Sequence, residues 1–117
     1  CQLATDTPMQ GSDFQVQISA RDFSSARDRS YWTQELHKDA DSLFPEWPTH
    51  SPAFQLAVNF PLVDINAENG PLELAPGTHL MTKDDALRRI KAGEIPLLPL
   101  HMKLGDVLFR DVRHVHR

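Results

Sequence analysis

The amino-acid sequence predicts one domain of mainly β structure, a sandwich or barrel of short strands with a single small helix inserted. Three observations carry this: apolar and polar residues alternate over several short runs, turn signals separate the runs, and only one segment has helical periodicity. The double-sheet jelly roll is one architecture of this kind.

Residues 1–13 are polar and turn-rich and are assigned no regular structure. Phe14, Val16 and Ile18 then alternate with Gln15, Gln17 and Ser19, the pattern of a half-buried strand whose polar face could line a cavity. Residues 21–30, dense in charge and serine, read as a loop. An extended piece over 31–39 delivers the triplet His37-Lys38-Asp39. The following loop, 41–52, carries Phe44, Trp47, His50 and three prolines, and reads as a substrate wall or as a surface loop folded onto the core. Residues 54–63 give the clearest strand, with Phe54, Leu56, Val58 and Phe60 on one face and Gln55, Ala57 and Asn59 on the other. Asn69-Gly70-Pro71 signals a turn before the extended run 72–75, which suggests that the two flanking strands pair as a hairpin. Pro76-Gly77-Thr78-His79 ends that run. Thr82-Lys83-Asp84-Asp85 has the spacing of a capping box, Ala86, Leu87 and Ile90 form a helical stripe, and Gly93 supplies the stop. Residues 96–100 are extended, Gly105-Asp106 is a turn, and a last strand is expected from Val107 through His114-Val115-His116.

Composition narrows the function. The 117 residues are 40% hydrophobic and 24% charged, which suits a soluble globular domain. A net charge of −4 gives no basic stripe, so nucleic acid and anionic membrane surfaces are not expected partners. No apolar run approaches the roughly 18 residues that span a bilayer, and no signal pattern opens the chain, so a cytoplasmic location is expected. A single cysteine leaves any metal to histidine and carboxylate. The chain opens without an initiator Met and stops at Arg117, in what should be a strand, so it is expected to be a piece of a longer protein.

His37 and Asp39, two apart on an extended segment, point the same way and supply an imidazole and a carboxylate to one volume. A histidine from a distant strand would complete a two-histidine-one-carboxylate triad, which leaves three positions open on Fe(II). His114 and His116 would both face that way on a strand, and the pattern does not choose between them. His79 is expected to hold its turn by hydrogen bonding, and His50 and His101 to face solvent. Asn59 and Gln17 lie on polar strand faces, where each could contact a bound small molecule or be satisfied by neighbouring backbone. The charges of 83–91 read as a solvated helix face.

Taken together, His37-Lys38-Asp39, Asn69-Gly70-Pro71-Leu72 running into Pro76-Gly77-Thr78-His79, and Gly105-Asp106-Val107-Leu108-Phe109 followed by His116 resemble the phytanoyl-CoA dioxygenase family of Fe(II)/2-oxoglutarate-dependent oxygenases, over roughly residues 14–117. The resemblance implies a double-stranded β-helix (jelly roll), incomplete over 1–117, with Fe(II) held by His37, Asp39 and His116. It places His114 beside the site and Asn59 against the cosubstrate, 2-oxoglutarate. It further implies a small-molecule substrate oxidised at an unactivated C–H bond by O2, with release of succinate and CO2. The Arg that binds the far carboxylate of 2-oxoglutarate in the family falls beyond Arg117. Halogenating relatives carry a small residue in place of the Asp, so Asp39 points to hydroxylation or a related oxidation. The rival expectations are a cupin-like metalloenzyme that does not use 2-oxoglutarate and a non-catalytic jelly-roll binding module.

Overall fold

The structure is a computed structural model that describes residues 33–47 and 50–117. The expected strand around Phe14 to Ile18, with Gln17, and the expected loop at 21–30 lie outside the described residues. The described part is built from short strands and one helix: β1 (Leu56–Asn59), β2 (Leu72–Leu74), α1 (Lys83–Lys91), β3 (Leu98–Leu100) and β4 (Leu108–Asp111). Two small antiparallel sheets result, β1 with β4 and β2 with β3.

The expected hairpin between β1 and β2 does not form. Ile65 bridges Met102 and β2 pairs with β3, so the chain on both sides of the Asn66–Gly70 turn runs antiparallel to the single segment 98–102. The turn is real, with Asn69 Oδ1 accepting from the Asn66 amide at 2.8 Å and Asn66 Oδ1 accepting from the Glu68 amide at 2.8 Å. It acts as a bulge in one edge of a ribbon rather than as a reversal, because both flanks find their backbone partners on the same strand. Asp64 reinforces this, accepting from the Leu104 amide at 2.8 Å and facing Lys103 Nζ at 3.1 Å.

The clear strand is also shorter than its sequence pattern, and its polar side is the one that turns inward. Leu56 and Val58 are about half exposed, whereas Ala57 and Asn59 turn inward towards the polar groups described below.

Helix α1 follows its sequence closely. Thr82 Oγ1 accepts from the Asp85 amide at 3.2 Å, satisfying one free donor of the first turn. At the other end Gly93, at φ +76°, lets its amide reach Ile90 O at 3.0 Å and the Glu94 amide reach Arg89 O at 2.9 Å, a Schellman closure that a side chain at this position would strain. Ala86, Leu87 and Ile90 face Ala75 and Val115, with Leu36, Met81, Ile95 and Leu97 around them, and this is the apolar core. Lys83, Asp84, Arg88 and Lys91 are exposed, as expected of a solvated face.

Candidate metal centre

The last segment does not continue as a strand to His116. β4 ends at Asp111, and a turn closed by the His114 amide on Asp111 O at 3.1 Å redirects the chain. A buried fork holds that turn: Arg113 donates from Nε and from its backbone amide to Asp111 Oδ1, both at 2.9 Å, and from Nη2 to Oδ2 at 2.6 Å. Its Nη1 reaches Ser51 O at 2.9 Å, and the guanidinium lies over Phe54. The hydrogen bonds from Arg113 hold the Asp111 carboxyl down at about 2, and Asp111 in turn raises the Arg113 pKa. After the turn, residues 115–117 lie between the His37 segment and β2. His116 exchanges both backbone bonds with His37, at 2.9 and 3.0 Å, and Glu73 and Arg117 exchange both of theirs, at 3.0 Å each.

One buried hydroxyl locks this seam. Thr78 Oγ1 donates to Ala75 O at 2.7 Å and accepts from the Val115 amide at 2.8 Å. Thr78, not His79, is therefore the residue that holds the Pro-Gly-Thr-His turn. Lys38, between the two candidate ligands, points the other way and donates to Thr78 O at 2.9 Å and Met81 O at 2.6 Å. Burial lowers its pKa. The triplet is thus fastened by its middle residue.

With the backbone so placed, one ligand atom from each of His37, Asp39 and His116 falls within 4.8 Å of the others. Asp39 Oδ1 stands 3.6 Å from His37 Nε2 and 3.4 Å from His116 Nε2. Two ligands at right angles and about 2.1 Å from an ion are about 3 Å apart, so a small inward movement seats a cation. The ring orientations are set from behind: His37 Nδ1 meets Glu35 O at 2.8 Å and His116 Nδ1 meets His114 O at 3.0 Å. A carbonyl oxygen only accepts, so both Nδ1 atoms carry a proton and each Nε2 is the atom turned to Asp39. Burial lowers the pKa of His116, favouring the neutral, ligating ring. Three potential ligand atoms thus converge on one volume, and the set of two imidazoles and a carboxylate suits a borderline divalent ion such as Fe(II).

The structure separates the two terminal histidines. His116 joins the cluster, whereas the intervening turn carries the His114 ring to His79, with ring centres 4.3 Å apart and His114 Nδ1 donating to Asp111 O at 3.2 Å. His79 is pushed towards neutrality by burial and by His114. His50 and His101 are exposed, as expected. Phe44 and Trp47 stack on one another at 4.1 Å in an exposed loop. Asn59 lies one link from the cluster: its Oδ1 accepts from Arg110 Nε at 3.2 Å, and Arg110 Nη2 donates to Asp39 Oδ2 at 2.6 Å. Arg110 was not expected from sequence. A cation directly after the apolar run Val107-Leu108-Phe109, opposite Ala57 on the inward side of β1, was the available signal.

No helix among the described residues is long and apolar enough to cross a membrane. The family model of phytanoyl-CoA dioxygenase (PhyH) matches residues 5–117. No solved structure matches the chain.

Proposed function

The chain belongs to the phytanoyl-CoA dioxygenase (PhyH) family, and from that premise we propose that it is a Fe(II)/2-oxoglutarate-dependent dioxygenase oxidising an unactivated C–H bond of a small molecule, with release of succinate and CO2. The observation that carries the reading is the convergence of His37 Nε2, Asp39 Oδ1 and His116 Nε2, with both outer imidazole nitrogens already committed to carbonyls. His37, Asp39 and His116 hold the iron; when bound, it supplies activation of O2 coupled to decarboxylation of 2-oxoglutarate. The protein's own contribution is orientation. Glu35 O and His114 O keep the imidazoles aimed, Lys38 anchors the strand between the two ligands, and three protein ligands leave three positions free for cosubstrate and oxygen. Asn59 and Gln17 are the residues proposed to contact the cosubstrate. The two small sheets are read as part of a double-stranded β-helix (jelly roll), with the centre between the His37 seam and the inward face of β1 and β4.

The test is anaerobic loading with Fe(II), followed by 2-oxoglutarate and O2. Succinate should form, and its formation should be lost in His37→Ala and His116→Ala. Iron binding without succinate would favour a metalloenzyme of another type. Absence of iron binding, unchanged by these substitutions, would leave a binding module.

A further inference from the structure

Arg110 is 8% exposed and presents three nitrogens to the interior: Nη2 on Asp39 Oδ2 at 2.6 Å, Nε on Asn59 Oδ1 at 3.2 Å, and Nη1 buried with no acceptor among the described residues. A guanidinium buried with one nitrogen unmet serves stability poorly, and an apolar side chain would serve the sheet better. A cation this close to a metal ligand also opposes the charge of a divalent ion, so its use is not to raise metal affinity. What it does do is divide the two oxygens of Asp39: Oδ1 faces both imidazoles, and Oδ2 is held by Nη2.

A carboxylate can bind an ion through one oxygen or both. If Asp39 used both, a six-coordinate ion would keep two open positions instead of three, too few for a chelating cosubstrate together with oxygen. Resting on the iron reading above, we propose that Arg110, braced by Asn59, is a positioning residue that confines Asp39 to coordination through Oδ1 and so preserves the third open position. For Asp39 to swing Oδ2 onto the metal, it would have to abandon a buried guanidinium and leave a second of its nitrogens without an acceptor.

The test loads the full chain with Mn(II) and counts exchangeable water ligands by pulsed EPR in isotopically labelled water. Three are expected in the unaltered protein, two in Arg110→Met, and three again in Arg110→Lys, whose ammonium still reaches Oδ2. Affinity of the Mn(II)-loaded protein for 2-oxoglutarate should fall about 10- to 100-fold in Arg110→Met and recover in Arg110→Lys. Two waters in the unaltered protein, or three in Arg110→Met, would overturn the proposal. Should Arg110→Met fail to fold, Asn59→Leu, which frees Nε, replaces it: a new two-water population is expected, and an unchanged count of three overturns the role. Mn(II) that does not bind at His37, Asp39 and His116 removes the metal reading and this inference together. Bound Mn(II) with the wrong count removes the inference alone.

Discussion

The backbone of His116 is paired to that of His37 while its ring turns Nε2 to Asp39, so one residue is both seam and candidate ligand. Replacing it with Ala should leave the backbone bridge intact but remove one of three metal contacts. Divalent metal affinity, measured by calorimetric titration, should fall by more than the roughly 10- to 100-fold typical of losing a partner behind a ligand. Asp111 gives a second prediction at this scale. Its carboxyl lies at about 2 in the fold against an ordinary 3.8, so its stabilisation is complete above pH 4 and is lost as pH falls through 2. The shift corresponds to about 2 kcal/mol. Asp111→Ala should cost more, about 3–5 kcal/mol at neutral pH, because it strands the buried Arg113. Urea unfolding at pH 7 measures the second, and a series of urea titrations from pH 6 to pH 2 measures the first. The His37-Lys38-Asp39 pair was legible in sequence because period-two spacing is all it needs. Strand spacing alone did not choose between His114 and His116, because the Asp111–Arg113 fork that turns the chain is a side-chain event with no strand signature; the resemblance pointed to His116.

Among the elements, the Pro-Gly-Thr-His turn and the seam it meets are joined by one hydroxyl. Thr78→Val keeps the shape but leaves the Val115 amide and the Ala75 carbonyl short of a partner in the core. It should cost about 1–3 kcal/mol per stranded group, and Thr78→Ser should restore most of it. Thermal unfolding of the two variants is the check. Thr82→Ala, losing only the α1 cap, should cost about 1 kcal/mol. Helix α1 was readable to its ends because its cap, stripe and stop are all local. The β1 pairing was misread because a turn signal reports a bend and not which strand accepts the backbone bonds beyond it. Alternation marked the two faces of β1 as different, and the polar one, carrying Asn59, meets the buried Arg110.

At the scale of the whole molecule, the three candidate ligands come from the segment before β1 and the segment after β4, brought together through bonds to β2 and through a core centred on Ala75, Ala86 and Val115. A cation bound there couples distant parts of the chain and should stabilise the fold. At one hundred times its dissociation constant the gain is about 2.7 kcal/mol, reversed by chelator and absent in His116→Ala. The family was legible because it resides in short blocks whose order survives along the chain. Arg110 was hidden, because its meaning depends on a contact with Asp39 that only the fold creates.

The most direct measurement is the visible charge-transfer absorption that arises when 2-oxoglutarate chelates Fe(II) under anaerobic conditions. The unaltered chain should develop the band in proportion to bound iron, and His37→Ala and His116→Ala should not. Iron bound without the band would contradict the use of 2-oxoglutarate, and a band that persists in both variants would contradict a centre made of His37, Asp39 and His116.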